Sequence, residues 1–436
     1  MSALLPLALA WLLALGGRAL RRAAGPVDRD PALDLAAGMV ALHLLLFSSS
    51  IAGVPWRPFA ALVPAALLLI AWPRERAARH ASRGLAISGG RLGVGDVVAL
   101  GAVTWFAALA HGRWVTAADF IYHWGAKARQ FALADGIDWG YLANGGNWRI
   151  HPDYPTLWPE LLAVTARLLG SSDEAVLLLW SPLLLVALLV AARNALAASA
   201  VPRLVAQPAL ATLGLLLATF GIGQEMAGAA DWLVALAGVL ALPALLAPRD
   251  RDGDLRIAVA AALAASSKIE GVPFAAILVA AHLLGREASW FGLPRWRSVL
   301  RTALPTAAVV LPWWIQCSRH HLFLATNTGR FDLERSAAIW PAVFQVVTAT
   351  TWLGAPFLLL ALPAGLASAR HRRLAAVLLA QLTFYFWVYY TGPVNTRFYV
   401  LASLPRLLLH LIPAAALGLV VMLSSRQRER AAEVGP

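Results

Sequence analysis

The sequence predicts an all-α fold, a polytopic bundle of transmembrane helices, on three observations. Hydrophobic residues make up 60% of the 436 residues and charged residues only 14%, against about 25% charged in a soluble domain. Apolar runs of bilayer-spanning length recur from end to end. Arginine clusters fall on alternate loops between those runs, as they do on the cytoplasmic side of membrane proteins. The formal charge of +13 is thereby explained, and arginines scattered over many loops exclude a nucleic-acid interface. A single cysteine, Cys317, excludes an internal disulfide framework and a cysteine-based metal site.

Residues 3–16 form the first apolar segment. Arg18, Arg21 and Arg22 follow it rather than precede it, the wrong polarity for a cleaved signal peptide, so the N-terminus is expected outside. Spans over 33–53 and 58–72 flank a turn at Pro55, and Arg74, Arg76, Arg79 and Arg83 mark the next cytoplasmic loop. The glycine-rich stretch 89–95 follows no strand, so it is a weak match to a phosphate loop. A span over 96–111 leads out into a polar stretch, and spans over 174–192, 204–222 and 232–247 follow. Ile257–Ala265 and Val272–Leu284 are each too short to cross comfortably, and read as two short helices going out and back with Lys268 and Glu270 at the tip. Spans over 302–316, 340–364, 374–390 and 407–423 bring the total to about thirteen, N-terminus out and C-terminus in. The chain divides into N-terminal transmembrane helices (1–112), an extracytoplasmic loop with juxtamembrane helices (113–172) and a transmembrane bundle with short outer loops (173–436).

The outer loops hold acids, histidines and both lysines of the chain, whereas the inner loops hold arginine and little else. An ionisable group in or near the bilayer costs roughly 2.5–3.5 kcal/mol on insertion scales, so it usually has a partner or a task. Asp119, His123 and Lys127 recur every four residues and share one face if Asp119–Gln130 is a regular helix. Asp119 reads as a general base or as a helix N-cap. His123 and Lys127 read as phosphate partners or as an interfacial face. The run His151, Pro152, Asp153, Tyr154, Pro155 is rigid and extended, suited to presenting side chains or to a plain return loop. Glu225 and Asp231 sit in a tight outer turn and are placed to orient the basic residues. Lys268 and Glu270 form an ion pair at the hairpin tip or add charge to a phosphate site. Arg397, Arg406 and His410 lie at the outer end of the last spans, with Arg406 and His410 four apart. Snorkelling is the alternative for Arg406. Trp114, Trp124, Trp139, Trp148 and Trp158 are interleaved with these groups, a density suited to a sugar ring or a headgroup layer. His320 and His321 are adjacent and so do not face alike on a helix, and His43 reads as a packing histidine.

In this order, Asp119, Tyr122-His123-Trp124, Lys127-Ala128, His151-Pro152-Asp153-Tyr154-Pro155, Ala230-Asp231, Lys268, Glu270-Gly271, Arg406, His410 and Pro413 resemble the GT-C superfamily of integral-membrane glycosyltransferases, to which protein O-mannosyltransferases and aminoarabinose transferases belong. The similarity runs from about residue 96 onward. It implies a GT-C-like bundle in the cell membrane with its active site on the extracytoplasmic side. It also implies a polyprenyl-phosphate-linked sugar donor, a glycan, lipid or protein acceptor, and an inverting single displacement with Asp119 as the catalytic residue. Here Asp119 lacks the adjacent second acid of many members and follows a fourth span. No metal is required, although Asp119, Asp153 and Glu225 are of a type to hold a divalent cation. The alternative from the same residues is a transporter or flippase for an anionic lipid-linked or small solute. A non-catalytic scaffold would leave the clustered acids and lysines without a purpose.

Overall fold

The computed structural model describes residues 2–24, 30–57, 92–112, 117–223, 226–247, 250–284, 294–323, 330–349, 354–392 and 395–434. Every regular element among them is helical. The principal helices are α1 (Leu5–Ala24), α2 (Pro31–Ile51), α3 (Val94–Gly112), α4 (Gly125–Ala134), α5 (Leu157–Leu169), α6 (Trp180–Ala198), α7 (Arg203–Gly223) and α8 (Asp231–Leu246). They continue with α9 (Arg251–Ser267), α10 (Gly271–Leu283), α11 (Pro294–Arg319), α12 (Ser336–Thr348), α13 (Ala355–Leu366), α14 (Arg372–Thr391) and α15 (Thr396–Val434). Among the described residues six helical stretches are long and apolar enough to cross a membrane: Pro31–Ile51, Val94–Gly112, Glu174–Ala198, Trp296–Arg319, Arg372–Thr391 and Thr396–Glu429. Four shorter apolar helices accompany them. These helices mark a membrane protein.

The core is built on α8. It is apolar on all sides, and apart from Pro243 every residue of it is buried, as expected of a helix at the centre of a bundle. It packs against α6, α9 and α15. Its first residue, Asp231, has no exposed surface. A carboxylate there lies at the positive end of the helix dipole.

α9 and α10 form the expected broken pair. Asp250 caps α9 by accepting from the Gly253 amide, and Arg256 bonds Asp252 one turn away, which carries the helix back to Arg251 instead of Ile257. Lys268 ends α9 in an extended conformation, and α10 starts at Gly271. A Cβ at Gly271 would lie 1.9 Å from the Ala264 carbonyl oxygen. Gly271→Ala is therefore expected to lower stability by about 1–3 kcal/mol, read as a lower melting temperature of the purified protein in detergent; an unchanged melt would contradict this packing.

Three expectations need correction or fall elsewhere. The span expected over 340–364 is divided into α12 and α13, since Ala349 is extended and Pro356 in the first turn of α13 starts a new helix. The last span is longer than the expected 407–423: α15 begins at Thr396, so Arg397 and Arg406 lie within this helix, and Pro405 and Pro413 do not end it. The third expected span, 58–72, lies outside the described residues.

The polar stretch is fastened to the bundle by its aromatic residues. Trp158 donates its indole N–H to the Gly228 carbonyl at 2.7 Å, and Trp313 on α11 donates to the Asp153 carbonyl at 3.1 Å. His43 Nδ1 lies 2.8 Å from Glu160 Oε2, whose other oxygen accepts from Thr156 Oγ1 at 2.7 Å. The packing histidine of α2 is thus satisfied by an acid that sequence reading did not pair with it.

Candidate active site

The local backbone departs from a regular helix where the site begins. Phe120–Trp124 is a π-helical turn, with the Gly125 amide bonding the Phe120 carbonyl. Such wide turns add a residue and often accompany functional sites. His123 and Lys127, four residues apart, are both buried, and Asp119 is half-buried. Asp119 itself has helical dihedrals (φ −60°, ψ −38°) and its side chain caps nothing, which removes the N-cap reading.

Asp119 instead meets Arg406 on α15, 287 residues away. Arg406 Nη1 donates to Asp119 Oδ1 at 3.0 Å, and Nη2 lies 2.5 Å from Oδ2. The same Nη2 donates to Asp231 Oδ2 at 3.2 Å. Asp231 Oδ1 is shared by Lys268 Nζ at 2.8 Å and His410 Nε2 at 2.9 Å. Lys268 Nζ also lies 3.7 Å from Glu270 Oε1, which accepts from the Tyr154 hydroxyl at 3.4 Å. Behind them the Tyr385 hydroxyl lies 2.7 Å from His410 Nδ1, and Gln381 Nε2 donates to the Glu270 carbonyl at 3.2 Å. Helix ends arrange the charges: Asp231 opens α8, Lys268 closes α9, and each sign suits its helix dipole. The inner pair is sealed, with Asp231 and Lys268 side chains 0% and 3% exposed, whereas Asp119 and Arg406 retain 29% and 24%. Asp119 and Arg406 are the accessible edge of a buried charge network.

A second layer packs against it. His123 stacks on Trp124 with ring centroids 3.9 Å apart and meets His151 at 4.9 Å and Tyr154 at 5.4 Å. Lys127 is fully buried, donates to the His151 carbonyl at 3.2 Å and sits 4.6 Å from the Trp124 ring centroid. Burial lowers its pKa to about 7, against the opposing fields of Asp153 and Asp119. Burial also holds His151 down to about 4 and His123 well below the usual histidine range, helped by the Lys127 cation, and raises the Tyr154 phenol well above its ordinary value. Lys127 thus lies within the field of Asp119 and Asp153 while its hydrogen bond goes to the His151 carbonyl.

Between the unfolded value near 10.5 and the folded value near 7, the unfolded chain holds a proton on Lys127 that the native chain does not. Stability then rises with pH across that window, and the cost of burying the ammonium is present in full below pH 7. Melting temperature measured from pH 6 to 9 is expected to climb more steeply for the wild type than for Lys127→Met; parallel curves would contradict it.

The expected residues divide as follows. Asp119, Asp231, Lys268, Glu270, Tyr154, Arg406 and His410 are joined by direct contacts, and His123, Lys127, His151 and Asp153 form the buried layer beside them. Arg397, expected with them, stands exposed in the first turn of α15 and does not join the network; Arg406, nine residues deeper, is the cation that Asp119 meets. Glu225 and Trp114 lie outside the described residues. Tryptophans expected against a sugar are largely structural: Trp124 and Trp158 have no exposed surface, Trp139 stacks on His320 at 4.8 Å, and Trp148 alone of the described four is widely exposed. Tyr385 and Gln381 were not singled out, although a lone histidine in an apolar span, His410, signals a partner of this kind.

Among the described residues no three His, Cys, Asp or Glu side chains converge as a metal ion would require. Several buried polar atoms around the network have no hydrogen-bond partner among the described residues, namely Arg406 Nε, Glu270 Oε2, Gln381 Oε1 and His123 Nε2. Each would cost about 1–3 kcal/mol if left unsatisfied. Donors and acceptors of both kinds are thus gathered around a carboxylate–guanidinium pair. No family model, no curated protein and no solved structure matches the chain.

Proposed function

We propose that the protein is a membrane glycosyltransferase of the GT-C type that transfers a sugar from a polyprenyl-phosphate-linked donor to an acceptor at the extracytoplasmic surface of the cell membrane. The observation that carries this reading is the accessible Asp119–Arg406 pair at the mouth of a buried cluster that also holds Asp231, Lys268 and His410. A lone solvated ion pair would be worth little. This one joins the polar stretch to the last helix, and it unites the two groups the reaction needs, a base and a cation.

The donor phosphate competes with Asp119 for the Arg406 guanidinium, with Lys268 supplying positive field behind it. Arg406 then loosens its hold on Asp119. Asp119 accepts the proton of the acceptor hydroxyl as the acceptor oxygen attacks the anomeric carbon. The bond from that carbon to the phosphate oxygen breaks, its electron pair stays on the phosphate, and Arg406 and Lys268 stabilise the new charge. Asp231 and His410 hold the two cations in place and exchange no proton with substrate. On this reading, a donor must arrive before Asp119 can act as a base.

The test uses purified protein in vesicles carrying a polyprenyl-phosphate sugar labelled in the sugar. Formation of polyprenyl phosphate in step with loss of label from the lipid, dependent on an added hydroxyl acceptor, is the expected result. Intact labelled lipid after prolonged incubation with a panel of acceptors would argue against transfer. The second reading, a transporter, is favoured by one feature, the break between α9 and α10 placed within the charge cluster. It predicts label crossing the bilayer with the sugar still attached.

A further inference from the structure

A second feature lies at the other end of α9. A groove of about 560 Å³ runs between α1, α2, α9 and α11, within the range of about 300–1,000 Å³ of ligand sites. Its walls are apolar side chains, among them Val40 and Leu44 of α2, Leu255 and Val259 of α9 and Pro305 of α11. Arg21, Arg251, Asp252 and Arg301 also line it. Arg251 opens α9 and Lys268 follows its end, so at 1.5 Å per residue this charged rim lies about 24 Å from the Asp119 network.

Of the four charged residues that line the groove, three are arginines: Arg21, Arg251 and Arg301. The single acid, Asp252, is engaged by Arg256 Nε at 2.6 Å, and Arg256 also bonds Asp30 at 2.7 Å. Arg21 is held by Asp34. The Arg301 side chain is 46% exposed and makes a loose ion pair with Asp254, its Nη1 3.9 Å from the carboxylate. Asp254 is itself taken by His282 at 2.9 Å and Ser298 at 2.6 Å. Five residues before Arg301, Trp296 is exposed with Arg297 stacked over its ring at 5.7 Å, an anchor typical of a membrane–water boundary. An apolar slot between helices with guanidinium groups at its boundary end matches a lipid with a negative headgroup.

We propose that this groove binds an anionic glycerophospholipid, with one acyl chain between α2 and α9 and the phosphate at Arg251 and Arg301. This site is independent of the glycosyl-transfer reading. Arginines near a headgroup phosphate favour anionic over zwitterionic lipid, and the apolar walls exclude a free phosphate ion.

The full chain in detergent is incubated with phosphatidylglycerol or phosphatidylcholine of identical chains, and lipid retention is read by native mass spectrometry. Phosphatidylglycerol is expected to be retained roughly tenfold or more over phosphatidylcholine, the scale of two arginines acting on one phosphate. Arg251→Gln with Arg301→Gln is expected to bring the two lipids to parity. Ala41→Phe with Val259→Phe, at half-buried positions that fill the groove, is expected to reduce retention of both. Equal retention by the wild type would overturn the proposal, as would a preference that survives the arginine replacements. Undiminished binding to the filled groove would place the lipid elsewhere. Inorganic phosphate that displaces the lipid at millimolar concentration would show that the chain contributes nothing, and would also overturn it.

Discussion

Asp231→Ala is expected to destabilise the protein by about 3–5 kcal/mol, the cost of breaking a buried ion pair by removing one partner. Asp231 has no exposed surface and is the common acceptor of Lys268, Arg406 and His410. Without it the Lys268 ammonium, 3% exposed, keeps, among the described residues, only the Glu270 carboxylate at 3.7 Å. Asp231→Asn preserves shape and one acceptor but removes the charge, and should fall between the two. A second replacement makes the result specific: Asp231→Ala with Lys268→Met leaves no stranded ammonium and should recover part of the loss. Thermal melts of the three variants in detergent provide the comparison. Equal melting temperatures for wild type and Asp231→Ala would mean that the cluster does not hold α8, α9 and α15 together.

Asp119→Asn is expected to lower the rate of sugar transfer by about 10²–10⁴-fold, the contribution typical of a positioned general base. The asparagine keeps an oxygen to accept from Arg406, and Arg406 keeps Asp231, so the fold should be preserved. Donor binding should be unchanged or tighter, because the competing negative charge beside Arg406 is gone. Initial rates at saturating donor, with donor affinity measured on the same preparation, separate these effects. A rate within a few-fold of wild type would remove Asp119 from the reaction.

The helical, membrane-embedded class was legible because it rests on composition and on long apolar runs, both of which survive any detail of packing. The break at Lys268 was legible for a similar reason: Ser266, Ser267, Lys268, Glu270 and Gly271 interrupt an apolar stretch. Joining Asp119 to Arg406 was not, since no local pattern links residues 287 apart. Sequence reading placed Arg397 and Arg406 alike near the outer ends of the last spans. Only the direction of α15 distinguishes them, placing Arg406 against Asp119 and leaving Arg397 exposed. Lys127 read as a phosphate partner or as part of an interfacial face, and the structure buries it fully. No local spacing shows that the Trp124 ring and the His151 carbonyl enclose its ammonium. Tryptophan density suited a sugar ring or a headgroup layer, and Trp124 and Trp158 are fully buried, which suits a large amphipathic side chain in packing.

A double-mutant cycle between Asp119 and Arg406, read on the rate of sugar transfer from the polyprenyl-phosphate donor, tests the pairing most directly. Groups that act as a unit give strongly non-additive losses. Asp119→Asn, Arg406→Gln and the double variant are measured side by side, each confirmed as folded by its melting temperature. The prediction is a double variant no slower than the slower of the two singles. Losses that multiply would show two independent residues, and wild-type rates in either single variant would contradict a reaction centred on this pair.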